Sequence, residues 1–147
     1  MSGSLTHSPA DIVRYALIDA SLGTLPSDSG SWPVYVNREP DSPDSCITVY
    51  DTTGVIAAMG MDGTAHEHHG VQIRIRAARF ETGFTKARAL AIGLDSTIKL
   101  ASITISSSVY LVWAITRVGD VLPIGREGSS DRELFTINAT ATLRQTT

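Results

Sequence analysis

Val71-Gln72-Ile73-Arg74-Ile75-Arg76-Ala77 alternates apolar and polar side chains at every step. Successive strand residues point to opposite faces. This period of two therefore predicts a strand with Val71, Ile73, Ile75 and Ala77 on a core face and Gln72, Arg74 and Arg76 on the other. Glu133 to Arg144 repeats the pattern: Phe135, Ile137, Ala139, Ala141 and Leu143 face one way, and Thr136, Asn138, Thr140, Thr142 and Arg144 the other. Long half-apolar strands of this kind describe an antiparallel sheet with one packed face and one open face.

Helical spacing appears on either side of the first strand. Downstream, Phe84, Ala87, Leu90, Ala91, Leu94 and Ile98 recur every three or four residues, with Thr82 as the expected cap. Gly93 lies inside this helix at a local cost of about 1 kcal/mol relative to Ala, consistent with close packing against the sheet. Near the start, Ser8-Pro9-Ala10-Asp11 reads as a capping box with Pro at the first helical position. Ile12, Val13, Ala16, Leu17 and Ala20 continue that helix, and Gly23 is its expected stop.

Val34 to Val36 and Cys46 to Tyr50 read as short strands joined by the Pro-punctuated polar loop Arg38 to Asp44. Ile103 to Ile105 and Val109 to Val118 follow, the latter apolar on both faces and so expected in the sheet interior. Val118-Gly119-Asp120-Val121 turns the chain. Residues 52–70 lack periodicity and hold four glycines. The expected fold class is α+β, a mostly antiparallel twisted sheet with two helices packed on one face, in the order α-β-β-long loop-β-α-β-β-β. Residues 1–147 read as one domain, with 1–7 a flexible N-terminal tail and 53–70 a long mobile loop.

Hydrophobic residues make up 42% and charged residues 18% of the 147, which is globular composition. Surface polarity falls instead to 16 serines and 16 threonines, favouring strands with hydroxyl faces over a helical bundle. The single Cys46 excludes an internal disulfide framework and a zinc knuckle. No apolar run approaches a membrane span, and Met-Ser-Gly-Ser-Leu-Thr lacks the basic and apolar regions of a secretory signal. The expected compartment is cytoplasm, or a particle assembled there. Net charge is −3, but unevenly spread. Residues 1–70 carry nine acids and two bases, residues 71–99 six bases and two acids. The bases are too dispersed for a nucleic-acid patch. A chain divided in this way can pair head to tail with copies of itself, unless folding joins the two regions within one chain.

His66-Glu67-His68-His69 invites a metal reading, but zinc sites need converging ligands and the helical HExxH spacing is absent. A polar loop is the plainer reading. No Gly-x-Ser-x-Gly elbow, phosphate loop or dinucleotide fingerprint occurs. Cys46 falls in a strand and reads as a core residue. Gln72, Arg74 and Arg76 read either as a solvated sheet face or as a surface meeting another chain, where arginine is favoured. Arg126 and Arg132 flank Glu127-Gly128-Ser129-Ser130-Asp131 as a solvated turn.

Two stretches together carry a family resemblance. The first is Met61-Asp62-Gly63-Thr64-Ala65-His66-Glu67-His68-His69-Gly70-Val71-Gln72-Ile73-Arg74-Ile75-Arg76-Ala77, followed by a helix rich in Lys, Ala and Arg that ends in Leu94-Asp95. The second is Gly125-Arg126 with Phe135-Thr136-Ile137-Asn138-Ala139. From about residue 8 onward the chain resembles the tail terminator proteins of long-tailed bacteriophages, also called minor capsid or tail completion proteins. His69 departs from the Pro frequent there. The resemblance implies a structural virion protein and no enzyme, with no cofactor, metal or catalytic residue. It implies a homohexameric ring capping the tail tube, stopping its polymerisation and meeting a head-side connector or stopper protein, while genomic DNA passes through the lumen. The ring would sit at the head-proximal end of the virion tail and assemble in host cytoplasm, away from any membrane. Asp62, His66, Glu67, Gln72, Arg74, Arg76 and Arg126 are the expected contact residues to neighbouring subunits or the tube. The competing readings are a head–tail joining ring and a small metal-dependent hydrolase built on His66 to His69.

Overall fold

The alternation at 71–77 marks the middle of a longer strand. In the computed structural model β4 (Ala65–Ala77) pairs antiparallel from Glu67 to Ala77 with β8 (Glu133–Gln145), with Ile73 opposite Ile137 and Ile75 opposite Phe135. The structure describes residues 5–26, 31–52, 55–59, 65–126 and 131–146. The other elements are α1 (Pro9–Asp19), β1 (Val34–Val36), β2 (Cys46–Asp51), β3 (Val55–Met59), α2 (Phe80–Ser96), β5 (Lys99–Ile105), β6 (Ser108–Arg117) and β7 (Leu122–Arg126).

These strands form one eight-stranded sheet in the order β1-β2-β4-β8-β6-β5. β3 joins β4 beside β2, and β7 joins β8 beside β6. Among the described strands β1 with β2 is the one parallel pair. α1 packs on both β1 and β5, the strands ending the main path, so the sheet curls around that helix. α2 covers β4, β6 and β8. Both helices bury their apolar stripes in one cluster: Ile12, Val13 and Leu17 of α1 and Ala87, Leu90 and Leu94 of α2 meet Val71, Ile73, Ile75, Phe135 and Ile137. Each large side chain so buried contributes roughly 1.5–3 kcal/mol.

The helix ends are held as unequally as their sequences are. Ser8 Oγ accepts the Asp11 N–H at 3.2 Å, the expected cap. Asp51 at the end of β2 adds a carboxylate, accepting the Ala10 N–H at 2.8 Å and the Asn37 side-chain amide at 2.7 Å. An anion at the positive helix end ties α1 to the sheet. α2 begins two residues before the expected cap Thr82, with Arg79 in the cap position and no side-chain cap bond.

The two helical glycines have different neighbours. A Cβ on Gly93 would lie 2.5 Å from Leu22 Cδ1, so Gly93 admits the segment after α1 rather than the sheet. Gly83 is the glycine against the sheet, where a Cβ would collide with the Phe135 ring.

The expected long loop over 53–70 is replaced in part by strand. Residues 55–59 form β3, and β4 starts at Ala65, six residues before the alternation begins. Val55 pairs with His68, Met59 with Ala65, and Gly70 with Thr140. Long neighbours supply the backbone partners here, so pairing does not require side-chain periodicity. β7 is likewise an addition; its Pro123 and Gly125 hide it from a propensity reading.

Candidate assembly surfaces

The helix-free face of the sheet starts from the polar half of β4. Register places Gln72 opposite Tyr50 and Asn138, Arg74 opposite Thr48 and Thr136, and Arg76 opposite Cys46 and Leu134. Gln72 donates to Asn138 Oδ1 at 3.2 Å. Thr116, Thr140 and Thr142 continue the polar surface across β6 and β8.

One end of this face is covered. The loop 38–44, with a cis Ser42–Pro43 peptide, lies over Arg76. Arg76 is 2% exposed, donating to Pro43 O at 2.7 Å, to Asp44 O at 3.4 Å and to Glu39 Oε1 at 3.5 Å. Glu39 also stands 4.0 Å from Arg74, and Asp44 stands 3.4 Å from Arg132. The solvated reading of Arg76 is therefore corrected: it is a buried cation satisfied by two carbonyls and a carboxylate. Acids of the first half of the chain meet bases of the second half inside one subunit, so the charge division is partly neutralised by folding.

Of the other expected contact residues, Glu67 is also withdrawn, 3% exposed with His69 Nε2 3.2 Å from its carboxylate. Glu67 and His69 share the core-side parity of β4, while His68 takes the opposite parity and hydrogen-bonds Thr142 Oγ1 at 2.8 Å. Strand alternation thus sends neighbouring histidines to opposite faces, unlike a convergent metal site. Asp62 and the His66 side chain lie outside the described residues. Among the described residues no three His, Cys, Asp or Glu side chains converge. Arg126 is 68% exposed on β7, paired with Glu133 at 3.3 Å and Asp131 at 3.9 Å. Gln72 and Arg74 remain partly accessible on the open face.

The apolar surface was not legible in the residue pattern. Phe80 and Phe84 stack at 6.1 Å beside Phe135, and both are exposed. Leu122 and Ile124 of β7 are exposed too. The sequence signals of it are the four-residue spacing of Phe80 and Phe84 and the apolar Leu122-Pro123-Ile124 just after a turn.

Two open depressions flank α2. One, of about 450 Å³, is lined by Trp32, Glu81, Thr82, Thr85, Lys86 and Ala89. Lys86 Nζ lies 5.6 Å from the Trp32 ring centroid, and burial pulls its pKa below the usual lysine range. The other, of about 410 Å³, holds the Arg117–Asp95 pair at 2.7 Å. The Arg117 hydrogen bond holds the Asp95 carboxyl below the usual carboxylate range. Burial raises the Cys46 thiol, with the Arg76 charge opposing it. No described helix is long and apolar enough to cross a membrane.

An open hydroxyl-rich sheet face, a covered basic strand and an exposed apolar edge define an α+β protein whose distinctive features are contact surfaces. The chain belongs to the bacteriophage tail terminator protein family, whose model matches residues 16–145. It is thus a structural component of a phage-type tail. A chain solved in the "Virion of native gene transfer agent (GTA) particle" has the same fold, with a TM-score of 0.54 over 95% of this chain and 99% of that one, at 15% identity. No curated protein matches the chain in sequence.

Proposed function

We propose that six copies of this chain form a closed ring at the head-proximal end of the tail tube. The ring stops tube polymerisation and offers its other side to a head-side connector, while DNA passes through the lumen unread. The family match over residues 16–145 carries this reading. It is supported by the open face around Gln72, Arg74 and Asn138, a broad polar surface with no helix over it. A chain of net charge −3 also suits a channel that must release DNA, since phosphate retention needs surplus Lys and Arg.

The role needs no catalysis. Replacing His68 and His69 by Ala together should leave ring formation and tail length unchanged.

Electron microscopy of tails assembled with and without the protein tests the central reading. Overlong tubes without it, and uniform capped tubes with it, are expected. Correctly terminated tubes in its absence would remove the function. Arg74→Glu should weaken assembly while the subunit stays folded, because Arg74 is 32% exposed.

A further inference from the structure

We infer that neighbouring subunits join edge to edge, the free edge of β7 pairing antiparallel with the free edge of β3 in the next copy. The inference rests on the ring reading and specifies its contact.

Among the described residues four strands have an outward edge: β1, β3, β5 and β7. β1 and β5 end the main path of the sheet. Both pack on α1, and β1 is further flanked by Thr24, which accepts the Val34 N–H and donates to Trp32 O. β3 and β7 each pack closely on one described element only, β4 and β8 respectively. Both strands are five residues long. An edge with unpaired N–H and C=O groups is a template for another strand, and proteins that leave one open usually protect it with charge. Here β3 is Val-Ile-Ala-Ala-Met, without a charge, and β7 carries exposed Leu122 and Ile124. Pro123 contributes a carbonyl but no N–H.

The placement is heterologous. β3 lies against Ala65 to His68 at one end of β4, whereas β7 lies against Glu133 to Thr136, whose β4 partners are Ala77 to Arg74 at the other end. The two edges occupy diagonally opposite corners of the central pair. Each step from β3 through β4 and β8 to β7 is antiparallel, so β3 and β7 run in opposite directions. A following copy in the same orientation therefore presents β3 antiparallel to β7, continuing the sheet's own pattern. That apposition sets the C-terminal end of β7, with Arg126 68% exposed, near the N-terminal end of β3, where Asp51 is exposed four positions before Val55. One patch meeting a different patch generates rings, whereas β7 meeting β7 would give a two-fold dimer.

Variants Ile124→Cys and Ala57→Cys, each adding one thiol to a chain whose own Cys46 is buried, test the contact, with the parent chain as control. Each is treated with a short bis-maleimide alone and in an equimolar mixture, under conditions where light scattering shows the assembly. The mixture should yield covalent dimers at least tenfold above either variant alone. A double variant, Leu122→Lys with Ile124→Lys, should lose the assembly with unchanged circular dichroism. Hexamers that form without mixed cross-links would overturn the inference and leave the ring standing. Ile124→Cys linking to itself would show the two-fold alternative. Absence of any assembly, with or without tail tubes, would remove both.

Discussion

The Arg76 guanidinium lies 3.5 Å from the Glu39 carboxylate, with Arg76 2% and Glu39 13% exposed. This contact closes the loop 38–44 over the sheet, and it turns an apparent surface arginine into a structural one. Arg76→Ala leaves Glu39 and the Pro43 and Asp44 carbonyls without that donor. Breaking a buried pair from one side costs roughly 3–5 kcal/mol, which is the expected loss of stability. Urea unfolding measures it, and a change under 1 kcal/mol would show that the loop contact is dispensable.

Ile73→Asp and Ile75→Asp should each prevent folding. Both side chains are 0% exposed between the helices and the sheet, and a carboxylate there has no partner. Gln72→Ala, one residue away on the open face, should change stability by no more than about 0.5 kcal/mol. A folded, cooperative Ile73→Asp would contradict the core assignment.

The helical glycines should respond unequally to alanine. At Gly83 the new methyl meets the buried Phe135 ring and lies 3.0 Å from Ala77 Cβ. Overpacking of this kind costs roughly 1–3 kcal/mol, more than the ~1 kcal/mol that alanine returns in helix propensity. At Gly93 the neighbour is the end of the Leu22 side chain, which can turn away. Thermal unfolding should therefore rank Gly83→Ala below Gly93→Ala, and the reverse order would be inconsistent with these contacts.

Cys46 should react slowly with maleimides in the folded chain and readily in urea. It is 0% exposed and burial raises its thiol pKa, so the reactive thiolate is scarce as well as hidden. Rapid labelling of the native chain would place β2 elsewhere.

Arg117→Ala should return the Asp95 carboxyl toward its ordinary range, because the Arg117 hydrogen bond is the largest cause of its depression. A depressed folded pKa gives stability that is present above the unfolded carboxylate value and lost as pH falls through the folded one. The pair is half in water, so the effect belongs in an NMR titration of Asp95 rather than in a melting curve. An unchanged titration would remove the pairing.

Local spacing along the chain specifies the elements with strong periodicity. The alternation at 71–77 and 133–144, the helix opened by Ser8, and the apolar run of β6 each follow from local spacing, and they fix an antiparallel sheet covered by two helices. The family resemblance was also legible, because its motifs lie along β4 and β8. Which polar residues stay at the surface depends on the folded chain as a whole. The period of two gives Arg74 and Arg76 the same face but cannot tell that a loop thirty-odd residues earlier will fold over one of them. β3, the first turns of β4 and β7 depend likewise on partners distant in sequence, whose backbone groups satisfy theirs. Alternation records which way a side chain points; burial and free edges record what arrives from elsewhere in the chain, and that is a property of the assembled sheet.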